Sequence, residues 1–232
     1  MISISRRYDS QDSKRRILSA CVKLFIEKGY QQTRMTDIIR DADVSVSTFQ
    51  NIFRSKDGVL LDLAESMFEN QFTLARRVVG ENASPALLYA VESSVQLALS
   101  ELNENIREVY VETYSHPQTF EYVCQKTSST LYELLGSYQP ECGPSDFYEM
   151  DIGSAGIMRG YMARPCDKYF TLDHKLNNFV KMSLRAYRVP EDEIKSILAT
   201  IQKIDMIQVA EKVMEELFAM LSMRFDFHLS EN

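Results

Sequence analysis

Apolar residues along this chain recur at spacings of three and four, the period of a helix with one buried face. Ile17, Leu18, Cys21, Leu24 and Phe25 set the pattern and define a first helix, which Gly29 closes as a C-cap. Thr33 is placed to cap a second helix, whose Ile38, Ile39 and Ala42 face inward. Asp43-Val44-Ser45 forms a tight turn with Ser45 as the next cap. A third helix follows over about 46–52, with Val44, Phe49 and Phe53 turned to the core. Ser55 caps a long fourth helix over about 57–79 that ends at Gly80.

Pro and Gly punctuate the rest. Ser84-Pro85 starts a helix that runs to about 101, since Pro is well tolerated at a first helical position. Further helices are predicted over about 105–115, 117–138, 145–164, 171–187, from Pro190 onward, and 205–223. The fold class is all-α. An N-terminal three-helix unit of the helix-turn-helix type covers 1–56, and a larger helical domain covers 57–232.

Charge gives the first unit a function. Residues 1–56 hold eleven Lys/Arg and six Asp/Glu, a net +5, whereas the whole chain is −7 and the remainder therefore −12. A basic head on an acidic body is the electrostatic footprint of a nucleic-acid reader. Lys14, Arg15 and Arg16 are read as the opening turn of the first helix. That is the wrong end of the helix dipole for cations and so points to an outside anion. Ser45, Val46, Ser47, Thr48, Gln50 and Asn51 lie on or near the exposed side of the third helix, where hydroxyls and amides can bond base edges and phosphates. Thr33, Arg34 and Thr36 at the start of the second helix, with Lys14, Arg54 and Lys56, complete the candidate DNA contacts.

The segment resembles the N-terminal domain of the tetracycline-repressor (TetR) family of transcription regulators. The resemblance rests on Ile17, Ala20, Leu24-Phe25, Gly29-Tyr30, Thr33, Asp37-Ile38, Ala42, Val44-Ser45, Thr48-Phe49, Phe53, Ser55-Lys56-Asp57 and Leu60. It implies an all-α homodimer with a ligand-binding and dimerisation domain behind the head. It also implies repression of a palindromic double-stranded DNA operator, relieved by a small-molecule effector. Four positions depart from the family pattern: Asp43 stands where Gly is usual, Ser47 replaces a common Gly, Gln50 replaces a common Tyr, and Asn51 follows where Tyr or His is frequent. Asp tolerates positive φ better than most residues, and Gln can read adenine bidentately, so an altered operator is expected.

On the family layout the helices at about 145–187 form the dimer interface. Gly153, Gly156 and Gly160 would let backbones approach, and Leu176, Phe179, Val180, Ser183, Leu184 and Tyr187 form a stripe beside them. Each mid-helix Gly costs about 1 kcal/mol relative to Ala, so three call for a packing reason. A ligand pocket is sought among Phe68, Phe72, Tyr89, Glu92, Tyr110, Tyr114, Phe120, Tyr148, Met158 and Met162, consistent with a hydrophobic or aromatic inducer. Glu92, Glu108, Glu112 and Glu121 would neutralise a cationic ligand if buried. Ligand binding is expected to swing the helix at 57–79.

Other chemistry finds little support. The four Cys (21, 124, 142, 166) have no CxxC spacing, and the three His carry no metal-ligand spacing, so no metal site is expected. There is no phosphate loop, GxSxG elbow or HExxH, so neither a cofactor nor a catalytic residue is assigned. No run approaches the ~18–20 apolar residues of a membrane span. The N-terminus reads as a short polar arm, which points to a cytoplasmic protein. An interaction module or an activator that works through a protein partner is the alternative.

Overall fold

A computed structural model describes residues 2–69 and 71–221. Among these residues the chain is helical, without strands. The head is built from α1 (Ile2–Lys28), α2 (Met35–Asp41) and α3 (Val46–Ile52). Helical segments α4 (Lys56–Glu69) and α5 (Gln71–Val79) flank residue 70. The body continues with α6 (Pro85–Leu102), α7 (Glu104–Thr113), α8 (Pro117–Leu135), α9 (Pro144–Ala163), α10 (Leu172–Ala186), α11 (Glu191–Ile201) and α12 (Met206–Met220). Residues 222 and 223 of the last expected helix lie outside the described residues.

The caps follow from local chemistry. Ser45, Ser84, Thr171 and Asp205 each accept a backbone N–H from the first turn of the helix they precede. Gly29 closes α1 at φ +82°, in the left-handed region where Gly is unstrained. Gly58 is required for a different reason. A Cβ there would collide with the Phe53 carbonyl, so α4 can leave α3 only through Gly. Asp43 adopts φ +50° in the turn before α3, the conformation expected of the residue standing at that turn.

Two apolar clusters organise the molecule. In the head, Ile17, Cys21, Phe25, Ile38, Phe49, Val59 and Leu60 pack together, so the start of α4 belongs to the head's core. The body cluster surrounds α6, which is buried along most of its length and touches α5 and α7 through α12. Val22 and Ile26 on α1 join the body cluster, so α1 serves both. The helices after Pro190 cover α6. Arg77 of α5 forms a bidentate pair with Glu216 of α12, and Ser19 of α1 donates to the Leu221 carbonyl.

Two expectations about α1 are corrected. Residues 2–11 are not a separate arm, because α1 begins at Ile2. Lys14, Arg15 and Arg16 therefore sit well inside the helix and do not face its N-terminal dipole. Lys14 pairs with Asp62 at 2.5 Å, and Arg15 and Arg16 pair with Asp12 one turn earlier. Arg16 also donates to the carbonyls of Ala42 (2.9 Å) and Asp43 (2.8 Å), which ties α1 to the turn before α3.

Candidate DNA-reading face and effector cavity

The reading face is assembled by the turn between α2 and α3. The Ser45 hydroxyl accepts the Thr48 N–H at 3.0 Å and bonds the Ser47 and Thr48 hydroxyls. Phe49 and Phe53 anchor the helix from below, their rings 6.1 Å apart. Val46, Ser47, Gln50 and Asn51 are thereby left exposed, and Thr48 is half-buried. Val46, 54% exposed, is an apolar group on an otherwise polar surface, the kind of contact a thymine methyl accepts. Arg54 follows α3 at φ +62° and is exposed, and Arg34 and Thr36 are exposed at the start of α2.

Other expected DNA contacts have structural duties. Thr33 is buried and does not cap α2; its hydroxyl donates to the Gly29 carbonyl at 2.7 Å and reaches the Leu24 carbonyl. Arg34 takes the cap position, and Asp37 accepts its N–H. The Lys28 ammonium beside Asp37 holds that carboxyl below the usual range. Lys56 turns inward and donates to the carbonyls of Tyr30 (2.8 Å) and Thr33 (3.1 Å), with its ammonium 3.9 Å from the Tyr30 ring centre. Lys56 therefore stitches the head together and does not present itself to a phosphate. Lys14 is tied to Asp62 of α4, with its side chain 44% exposed.

α7 joins head to body. Asn105 donates to the Ile26 carbonyl at 2.8 Å, Glu108 accepts the Gln31 N–H at 3.1 Å, and Glu112 accepts the Gln31 side-chain amide at 3.2 Å. Just past α7, His116 stands 3.6 Å from Asp57 of α4, whose carboxylate also accepts the Tyr30 hydroxyl. Glu108 and Glu112 thus face the head and not a ligand. Glu121 is exposed and accepts the Tyr148 hydroxyl.

Between the body helices lies a small, partly open pocket of about 20 Å³, room for about one water. Its walls are Tyr89, Glu92, Ser93 and Gln96 of α6, Tyr114 at the end of α7, Val123 and Thr127 of α8, Asp151, Ser154, Ala155 and Met158 of α9, and Phe179 of α10. Of the ten expected ligand residues, Tyr89, Glu92, Tyr114 and Met158 line it. Phe68, Tyr110 and Met162 are buried in the body core, with Phe72, Phe120 and Tyr148 packed against it.

The polar lining is ordered. Tyr114 donates to Gln96 at 2.7 Å, and the Gln96 amide donates to Glu92. Asp151 is 2% exposed; one carboxylate oxygen accepts from Ser154 at 2.9 Å and lies 3.4 Å from the Tyr187 hydroxyl. Among the described residues its other oxygen, Oδ2, has no hydrogen-bond partner, and neither has the Thr127 hydroxyl. Burial pushes the Asp151 carboxyl up to about 7. Asp151, Gln96 and Thr127 were missed from the sequence. The available signal was a polar run, Glu92-Ser93-Ser94-Val95-Gln96, inside an otherwise apolar helix.

The apolar stripe expected at the dimer interface turns inward instead. Leu176, Phe179, Val180, Ser183, Leu184 and Tyr187 are buried within the chain, because α10 packs on α6 and α9. The glycines of α9 do the opposite. Gly153, Gly156 and Gly160 are exposed, a Cβ on any of them would meet nothing within 4 Å, and Ile152 and Met182 are exposed on the outer faces of α9 and α10.

With this geometry in place, the likeness to known proteins can be located on the chain. The family model described as bacterial regulatory proteins, tetR family, matches residues 17–63, the segment that builds the head's core and reading face. The head is a tetR-family segment. The HTH-type transcriptional regulator YuxN of Bacillus subtilis (strain 168), itself uncharacterised, is 28% identical over 98 residues. That match covers 42% of this chain and 32% of YuxN, so it spans about a third of that relative's length. YvkB of the same organism, another uncharacterised HTH-type transcriptional regulator, is 24% identical over 134 residues, covering 56% of this chain and 68% of YvkB. The crystal structure of RolR in complex with resorcinol superposes with a TM-score of 0.64 at 16% identity, covering 83% of this chain and 95% of RolR. At that identity the likeness shows a shared fold, body and head together. Among the described residues no helix is long and apolar enough to cross a membrane, and no group of His, Cys, Asp and Glu is placed to hold a metal ion.

Proposed function

We propose that this chain is a tetR-family DNA-binding transcriptional regulator, a repressor released from a palindromic operator by a small molecule. The observation that carries the reading is the pairing of an exposed α3 face with a small pocket of mixed polar and apolar lining between the body helices. The relatives are transcriptional regulators, and RolR was crystallised with a small phenolic ligand; an effector-responsive role for this chain follows by analogy. The DNA contacts assigned are Ser45, Val46, Ser47, Thr48, Gln50 and Asn51 on α3, with Arg34, Thr36 and Arg54 flanking. Residues 1–56 act as the reading unit and 57–232 as the effector and dimer unit, with the first turns of α4 shared between them.

The dimer is assigned to the outer face of α9 and α10, where three glycines leave room for a second backbone. Two heads related by a two-fold axis match two half-sites. The coupling route runs through α7. Its C-terminal neighbour Tyr114 lines the cavity, while Asn105, Glu108 and Glu112 grip α1 and the turn after it. A ligand that moves Tyr114 tilts α7 and shifts the head spacing, and it favours the released state only if it binds that state more tightly. Binding of the purified protein to DNA flanking its own gene, with and without candidate effectors, tests the reading. Binding no tighter than to random DNA contradicts it.

A further inference from the structure

The outer face of α9 is short of side chains. Gly153, Gly156 and Gly160 let a second backbone approach but add little apolar area, whereas a stable dimer buries about 800 Å² on each partner. Among the described residues of α9, α10 and the turn between them, the large exposed apolar side chains are Ile152, Tyr169 and Met182. Tyr169 is the most exposed of them, at 77%, and stands on the turn. Beside that turn opens an apolar hollow of about 360 Å³, lined by Ile157, Gly160, Tyr161, Arg164, Phe170 and Met182. The Tyr161 and Phe170 rings stack in its wall, their centres 6.1 Å apart. The hollow has room for an aromatic side chain, and through Gly160 it continues the glycine face.

The backbone that carries Tyr169 is held in one shape. Asp167 Oδ1 accepts the N–H groups of Tyr169 and Phe170, both at 2.8 Å, and the Asp167 N–H donates to the Phe170 carbonyl at 3.0 Å. Glu101 of α6 accepts the Cys166 N–H at 3.0 Å and pairs with Arg107 of α7 and with the fully buried Lys175 of α10. Lys175 also donates to the Arg164 carbonyl at 2.6 Å. A buried ion pair is weak evidence for stability. What this one fixes is the path of the chain on either side of Tyr169. An aromatic group held ready in this way loses little freedom on docking, which raises the affinity of an anchor.

A knob beside a hole on one surface is self-complementary under a two-fold axis, because each copy fills the other's hole. Resting on the assignment of this face to the dimer, we propose that the Tyr169 ring of each protomer seats in the partner subunit's hollow. A second copy of this chain is the occupant. The rim suits it: the exposed Arg164, Asp167, Lys168 and Asp173 are two cations and two anions, so two copies meet with opposite charges available to each. Tyr169 supplies the buried aromatic anchor that the glycines lack.

Tyr169→Ala, Tyr169→Phe and Gly156→Leu are compared with wild type in the full-length protein by sedimentation over a concentration series. Circular dichroism confirms that each is helical. Tyr169→Ala is expected to weaken the dimer at least about tenfold and Tyr169→Phe to stay within about threefold of wild type. A benzoylphenylalanine photocrosslinker at position 169, in a mixture of isotopically heavy and light protomers, is expected to give heavy–light crosslinks to the peptides carrying Ile157–Arg164 or Met182. Dissociation by Gly156→Leu with an unchanged dimer in Tyr169→Ala keeps the face and overturns the knob. So do crosslinks confined to one chain or placed outside the hollow. An intact dimer in both variants, or a wild type that is monomeric at micromolar concentration, overturns the face and the knob together.

Discussion

Asp151 is a carboxyl group placed where a carboxylate is costly, and its stability signature has a definite sign. Its folded pKa of about 7 lies above the ordinary 3.8, so the native state binds the proton more tightly than the unfolded chain does. Stability from this residue is therefore present at acid pH and is lost as pH rises from about 4 through 7. Asp151→Asn should flatten that loss and be more stable than wild type at pH 8, by on the order of 1–4 kcal/mol. Urea denaturation at pH 5 and pH 8 measures it, and parallel curves for both proteins would contradict the assignment. Thr33 provides a second test. Its hydroxyl satisfies buried carbonyls at the end of α1, so Thr33→Val should lose about 1–2 kcal/mol of stability. Chemical denaturation checks this, and an unchanged midpoint would instead fit a DNA contact. Thr33 and Lys56 were misread from sequence because residue type and position matched a surface role. Only the fold shows that the chain after Gly29 curls back, buries Thr33 and turns the half-buried Lys56 onto its carbonyls.

Among elements, α9 and α7 carry the functional weight. The glycines of α9 have open space around them within one chain, so Gly156→Leu should leave the protomer folded, with helix propensity slightly improved. The dimer should nevertheless dissociate. Light scattering is expected to give a monomer; an intact dimer would move the interface elsewhere. The coupling assigned to α7 predicts that Asn105→Ala combined with Glu108→Ala keeps effector affinity but reduces effector-driven loss of DNA affinity by about fivefold or more. A ligand response equal to wild type would return the coupling to α4. Helix positions were legible because Ser, Thr, Pro and Gly punctuate this chain clearly, as at Ser84-Pro85 and Thr171. Which face of a helix looks outward was less legible. Both the α9 glycines and the α10 stripe fit an interface by composition, and only the packing of α10 on α6 and α9 separates them.

At the scale of the molecule, a basic head of net +5 on a body of net −12 is polarised toward a polyanion. The structure trims that charge. Lys14, Arg16, Lys23, Lys28 and Lys56 hold the head together, which leaves Arg34 and Arg54 on the reading side. The pocket proposed for an effector was the least legible part, since Glu92, Asp151 and Thr127 come from three helices and no spacing along the chain joins them. The central claim is that the α3 face reads DNA. Its most direct test is the affinity of the purified protein for DNA flanking its own gene, across a salt series, with Gln50→Ala beside wild type. The account predicts sequence-selective binding that weakens with salt and a loss of about 1–3 kcal/mol in the variant. Binding that is indifferent to sequence, or to Gln50, would contradict it.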